Sequence, residues 1–407
     1  MKTSTRSGLR TLKACRGCGG DNLKDFLHYD NLPIAGTYLN ESDLGQEPLF
    51  PLTVAMCGEC GLIQLREVVP SSIYNNYKFV GTGSAGYRSY MEGVAESLVK
   101  KWNMCRKRIL EIGCSDGYLL NELRDKGNNC VFGYETSSQL RETCTKKGIP
   151  VSGAFFSSMT LDECPILPVH AVICRHVLEH IDDLHNFLRG VTEALVPDGI
   201  FVIEVPNVMT ILARSLYSHF YHEHLSYFSL NSVRRLLGQY CFEIVEHRVV
   251  DIHGGSLFVV AKYRKRMRPF LDIDVENDET AEACEIFATN AHAYFGKLRD
   301  FVEKQCLAGV RLAGYGAAHR TVVTCSLAGL TRQHVWYLVD RNTHLHGLYT
   351  PGAYLPIYGP EKLCQDPPDA IIIFATSFES EIIREQQEFA GRGGRFISLL
   401  PEPRYLP

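Results

Sequence analysis

The sequence predicts a three-part α/β chain, a small four-cysteine unit followed by two doubly wound α/β units, and three observations carry that expectation. Two C-x-x-C pairs, "CRGC" (Cys15, Cys18) and "CGEC" (Cys57, Cys60), stand near the start. From about residue 80 to 265, short apolar runs alternate with helical patterns, the rhythm of a mostly parallel sheet flanked by helices. After a helical stretch the run "GVRLAGYGAAHRTVV" starts that rhythm again. A chain of 407 residues exceeds one ordinary core, so several domains are expected.

Composition removes some function classes. With 45% hydrophobic and 22% charged residues and a net charge of −4, the chain has no global positive field to hold nucleic acid or an anionic membrane. The basic run "RKRMR", Arg264 to Arg268, reads as a solvated inter-domain hinge. The opening "MKTSTRSGLRTLKAC" lacks the apolar run of a signal peptide, and no apolar segment approaches the roughly 20 residues of a membrane span. A cytoplasmic monomer or weak dimer, with no nucleic-acid or membrane partner, is expected.

Fifteen cysteines without an export signal point to metal ligation before disulfides. Gly19 and Gly61 follow the two C-x-x-C pairs and permit the positive φ that turns backbone amides toward sulfur. One structural zinc held by Cys15, Cys18, Cys57 and Cys60 is expected, because four thiolates leave no open position for a substrate. The 38 residues between the pairs are expected to carry their own strands, with "NLPIAGTYL" lying across them.

In the central unit "RILEIGCSDGYLLNELRDKG" reads as strand, glycine turn and amphipathic helix stopped by Gly127. "VFGYE" is a second strand ending in Glu135. "AVICR" and "GIFVIEVP" are further buried strands, and "FEIVEHRVVD" with "SLFVVAKY" forms a hairpin about "IHGG". An acid at the end of the second strand suits a nucleoside with free ribose hydroxyls. Yet the turn has only Gly113 and Gly117 and carries Glu111 and Asp116, where a pyrophosphate requires uncompensated amides. An acidic turn tolerates a cationic sulfonium with its amino-acid tail. Residues 276 to 306 read as one long helix, and "VWYLVD" and "AIIIFAT" as strands of the last unit.

Two polar clusters remain. "RHVLEHIDD" matches H-x-x-E-H, which on a helix would bind zinc through His176 and His180 with Glu179 as base. Its place directly after a buried strand favours His180 facing an active site instead. "FYHEHLSYFS" sets Tyr221, His222, Glu223 and His224 side by side. In an extended segment Tyr221 and Glu223 face one side and His222 and His224 the other, so at least one is structural, and His222 is assigned that part.

In the order "CRGC…CGEC", "EIGCSDGYLL", "RHVLEHI", "YHEHLSYFS", "HGGSL", "AGYGAA" and "DRN…G…PGAYLPI", these motifs resemble the sugar C-methyltransferases that act on nucleotide-linked 4-keto deoxysugars. The resemblance covers nearly the full chain. It implies a zinc-binding domain over 1–75, a Rossmann-like class I methyltransferase domain over 76–268 and a second Rossmann-like α/β domain over 269–407. It implies S-adenosylmethionine as cofactor, placed by Glu111, Gly113, Ser115, Asp116, Gly117, Glu135, Arg175 and His176, with Phe155 or Phe156 flanking adenine. A ketone acidifies the neighbouring C–H, so a base near neutral pKa can remove that proton before methyl transfer. The resemblance implies His224 as base, Glu223 as its orienting carboxylate and Tyr221 as donor to the oxyanion, with Tyr221 as base the open alternative. His180 and Tyr77 are implied in the same pocket.

Gly314, Gly316, Ala317 and Arg320 are implied to hold the nucleotide diphosphate. There the chain departs from the family, reading "GYGAAHRTVV" where alanine, lysine and glycine are usual. It also lacks a lysine in "NTHLHG", and has Thr376 and Ser377 in place of a Trp-Asn pair. Methylation at C3 of a 4-keto-6-deoxysugar is therefore the expectation. A non-sugar acidic carbonyl acceptor, or a zinc hydrolase using H-x-x-E-H, is the alternative.

Overall fold

Leu23–Pro33 and Leu49–Cys57, the strands expected between the cysteine pairs, run antiparallel, and Ile63–Leu65 extends the sheet they form. The fourth strand of that sheet, Ser226–Tyr227, comes from the middle of the chain, with Ser226 opposite Gln64 and Tyr227 opposite Ile63. The computed structural model describes residues 8–70, 85–265 and 278–407.

The central sheet has seven strands in the order Phe242–Val250, Ser256–Tyr263, Leu195–Pro206, Val169–Arg175, Arg108–Ile112, Cys130–Tyr134 and Val151–Ser152. Only Ser256–Tyr263 runs antiparallel to its neighbours. Val169–Arg175 is apolar along most of its length because both faces of the sheet are covered. Helix Tyr118–Gly127 corrects one expectation. Asn128, at φ 51°, takes the left-handed cap and donates to the Arg124 carbonyl, whereas Gly127 is the last helical residue. A Cβ on Gly127 would lie 2.6 Å from the Met104 carbonyl oxygen, so glycine is needed there for close packing, not for the stop.

The last unit repeats the plan. Its sheet runs Ile357–Tyr358, Leu338–Val339, Leu312–Tyr315, Ala370–Ile373 and Arg395–Ser398 in parallel, with Arg404–Tyr405 antiparallel at the edge. The long helix expected before it spans Asp278–Leu307. Of the "RKRMR" run, Arg264 pairs with Glu243 and Asp198 at 2.7 Å each, and the last three residues lie outside the described residues. So does Tyr77.

One continuous apolar core joins the three units: Leu27 and Leu52 from the first, Ile211 and Phe220 from the second, Phe287 and Leu298 from the third. Phe220 is fully buried at its centre, with ring centroids 6.2 Å from Phe26, 4.5 Å from Tyr227 and 5.4 Å from Phe287. The residues directly after Phe220 are therefore held by all three units at once. Among the described residues no helix is long and apolar enough to cross a membrane.

Candidate active site

Residues 221–224 form a turn and not a strand, which overturns the alternation expected of an extended segment. The His224 amide donates to the Tyr221 carbonyl at 3.1 Å, so the two side chains converge on one side. Tyr221 Oη lies 2.8 Å from His224 Nε2, with ring centroids 4.3 Å apart. Tertiary partners impose the turn. His222 Nε2 donates to the Pro51 carbonyl at 3.0 Å, Glu223 Oε1 accepts the Gly36 amide at 2.7 Å, and the Tyr221 amide donates to Tyr227 Oη at 3.1 Å. His222 thus has a structural partner in the first unit. Glu223 points toward Gly36 and makes no hydrogen bond to the imidazole of His224, contrary to the orienting carboxylate expected.

His180 packs edge-on against His224 at 4.7 Å, and its Nδ1 donates to the Glu223 carbonyl at 2.6 Å. Burial, with His180 and His319 close by, pushes the His224 pKa well down, so its imidazole is neutral at pH 7. Burial pushes the Glu223 carboxyl up to about 7.

The H-x-x-E-H motif is not on an α-helix. His176 closes the strand at φ 52°, and Leu178–His180 is a single 3₁₀ turn. Glu179 and His180 group with His224, their ligand atoms within 4.8 Å of one another. His176 lies between Glu204 Oε1 at 3.4 Å and Glu179 Oε1 at 3.6 Å. Burial opposes its charge, but those two carboxylates outweigh it and raise the pKa to about 9. Arg175 donates to Glu204 at 2.8 Å and to the Tyr87 hydroxyl at 3.1 Å. Glu204 was missed in the sequence, although a lone acid inside the apolar strand "GIFVIEVP" was the available signal.

At the glycine turn, Gly113 has φ 71°, and a Cβ there would meet Val177 Cγ2 at 2.3 Å. Glu135 accepts the amides of Ser115 at 3.0 Å and Ser137 at 2.8 Å. Glu111 is buried with Oε2 lacking a hydrogen-bond partner, and burial raises its pKa to about 8. Asp116 is paired with Lys147 Nζ at 2.9 Å, and Gly117 opens the following helix. Phe155 is 80% exposed, whereas Phe156 packs on Tyr134 and Phe187.

From the last unit, Gly314 lies within strand Leu312–Tyr315, Gly316 turns the chain, and the Ala317 amide donates to Asp340 Oδ2 at 2.7 Å. Arg320 donates to His219 Nε2 at 3.1 Å and to Ser377 Oγ at 3.4 Å. In the first unit, the sulfurs of Cys15 and Cys60 are 3.5 Å apart and those of Cys18 and Cys57 3.6 Å, all four within 4.8 Å.

Aligned along its whole length, the chain is 30% identical to the C-methyltransferase NovU of Streptomyces niveus over 414 residues, covering 98% of each protein. The chain belongs to this C-methyltransferase family. Three family descriptions match in order: "Putative zinc binding domain" over 15–74, "Methyltransferase domain" over 87–247 and "C-methyltransferase C-terminal domain" over 251–401. The last includes strand Ser256–Tyr263, which the fold places in the central sheet. A ubiquinone biosynthesis O-methyltransferase of Rickettsia canadensis (strain McKiel) is 26% identical over 125 residues, 29% of this chain and 51% of that one. The structure of magnesium protoporphyrin IX methyltransferase (ChlM) from Synechocystis PCC 6803 with bound SAM matches 46% of this chain and 88% of its own at 14% identity, with a TM-score of 0.35.

The C-methyltransferase depends on S-adenosylmethionine, and its residues fit that cofactor. The close-packed Gly113 turn, the two-amide anchor of Glu135 and the unpartnered Glu111 oxygen make a cradle for a cation with ribose hydroxyls, not for a phosphate. Zinc fits the cysteine cluster, because a tetrahedral ion with Zn–S near 2.3 Å sets sulfurs about 3.8 Å apart. The zinc-hydrolase alternative is not favoured, since its motif is a strand end and a 3₁₀ turn instead of a helix and the chain matches a C-methyltransferase along its length.

Two tests follow. Glu111 has a folded pKa above its unfolded value, so its stabilising contribution is complete below pH 4.5 and is lost as pH rises through about 8. Urea unfolding of the cofactor-free protein should show the wild type losing stability relative to Glu111→Gln across that window; parallel curves would contradict the assignment. Cys57→Ser should lower zinc from one per chain to well below stoichiometric and depress Tm, read by elemental mass spectrometry and calorimetry, because structural zinc contributes folding energy directly.

Proposed function

We propose that this C-methyltransferase acts on C3 of a nucleotide-linked 4-keto-6-deoxysugar, and that Tyr221 and His224 together remove the C3 proton. The observation that carries the reading is the 2.8 Å contact between Tyr221 Oη and a neutral, partly buried His224. A carbon acid beside a ketone needs a base that is unprotonated at neutral pH. His224 meets that need because burial disfavours its cation. The Tyr221 oxygen takes the proton from carbon while its own proton passes to His224 Nε2, so the proton rests on the imidazole and the substrate is left as an enolate. When bound, S-adenosylmethionine supplies an electrophilic methyl group for that carbon.

Other residues position these two. His180 donates through Nδ1 to the Glu223 carbonyl, which fixes its tautomer and braces the turn against which His224 packs. Glu223, through Gly36, clamps the first unit onto the turn. Glu135 and the Gly113 turn hold the cofactor. Gly314, Gly316, Ala317 and Arg320 line the diphosphate site; Arg320 has no carboxylate within 4.0 Å among the described residues, as suits a guanidinium reserved for an anion. The division of labour follows 1–75 for zinc, 76–268 for methyl transfer and 269–407 for the substrate.

The test is exchange of the C3 proton in deuterium oxide with a pyrimidine-nucleotide 4-keto-6-deoxysugar. Wild-type protein should exchange it, and Tyr221→Phe and His224→Asn should each slow exchange and methylation by about 10²–10⁴-fold with cofactor affinity unchanged. Wild-type exchange by both variants would remove the pair from the reaction.

A further inference from the structure

The sequence around the second glycine turn departs from the family at His319, and the structure shows where that residue goes. His319 opens helix His319–Ala328, directly after the turn at Gly316–Ala318. It is 6% exposed. Its ring lies nearly parallel to that of Tyr221, at 25°, with centroids 5.5 Å apart, and its Nε2 is 3.7 Å from Glu223 Oε1. A side chain of the third unit therefore covers the phenol that touches His224.

We infer that His319 is a positioning residue for proton transfer: by stacking on Tyr221 it holds the phenol on His224 and keeps that pair dry, so the reactive pair is complete only when the turn of the third unit is seated. The inference rests on the proposed role of Tyr221 and His224. The backbone around His319 is fixed by the same turn. The Ala317 carbonyl accepts the hydroxyl of Tyr38, the Ala317 amide is held by Asp340, and Thr321 Oγ1 donates to the Gly316 carbonyl at 2.9 Å. Tyr38 belongs to the segment that also sends Gly36 to Glu223, so the first and third units meet on either side of Tyr221.

The pH dependence follows from what surrounds His224. It faces His180 and Glu179 from the 3₁₀ turn, Tyr221 and Tyr227 from its own segment, and His319 from the third unit, with His176 and His219 farther off. Burial is the main cause of its lowered pKa, and burial pushes His319 itself down to about 3, so His319 acts here as a neutral ring. Opening the stack admits water beside His224 and lets its pKa rise.

The experiment compares His319→Phe, which keeps a ring, with His319→Ala, which does not. His319→Ala should lower kcat by about 10–100-fold, the cost of misplacing a reacting group, and move the acid limb of the kcat profile to higher pH, with cofactor affinity unchanged. His319→Phe should keep kcat within a few-fold, as a ring-for-ring exchange, and leave the limb in place. Should His319→Ala not melt cooperatively, His319→Gln takes its place with the same expectation. Unchanged kcat and acid limb in the ringless variant, or His319→Phe as impaired as that variant, would overturn the inference. Tyr221→Phe in the same assay separates the two claims. Wild-type proton exchange there sinks the proton-transfer reading, while a fully active His319→Ala beside an inactive Tyr221→Phe sinks only this one.

Discussion

The structure depends on how one short turn is held. Residues 221–224 follow a phenylalanine buried among three units and precede a strand that completes the sheet of the first unit. The Leu225 amide donates to the Glu179 carbonyl at 2.7 Å, and the Leu65 amide to the Leu225 carbonyl at 3.0 Å, so backbone bonds fix the turn from both sides. Holding the turn this way withdraws its imidazoles from water, His222 fully and His224 in part. A histidine in water would be partly protonated near neutral pH, and desolvation keeps it unprotonated and free to accept a proton. On the proposed reading, domain assembly is also what prepares the proton acceptor.

The same physics gives opposite results a few ångströms apart. His176 and His224 are both partly buried, yet one is held as a cation and the other neutral. The difference is carboxylate pairing: His176 lies within 4.0 Å of both Glu179 and Glu204, while His224, among the described residues, has no carboxylate that near and packs on imidazoles and phenols. Glu204 is in turn held ionised: burial opposes its charge, but Arg175 and His176 outweigh that cost. On the proposed reading, charge on the cofactor side and neutrality on the proton-transfer side would let one cleft hold a cation and deprotonate a carbon.

What could be read from the sequence was local. The cysteine knuckles, the strand–glycine–helix of residues 108–127 and Glu135 at the end of the next strand are fixed by neighbours a few positions away, and spacing reveals them. The turn at Tyr221 was not legible, because its shape comes from Gly36 and Pro51, more than 150 residues distant in the chain. Periodicity predicted alternation there, and tertiary contacts overrode it. Glu223 was misassigned for the same reason: its partner is a backbone amide of another unit. His319 stood out only as a break in a motif, and nothing within its own helix indicates that it would meet a tyrosine 98 positions earlier.

The central claim is that the methyl group is delivered to carbon next to a ketone. The most direct measurement is NMR of the product formed from ¹³C-methyl-labelled S-adenosylmethionine and a nucleotide-linked 4-keto-6-deoxysugar. The account predicts a labelled methyl coupled to C3 with the C4 carbonyl retained; label on oxygen, or an unreacted sugar with zinc and cofactor both bound, would contradict it.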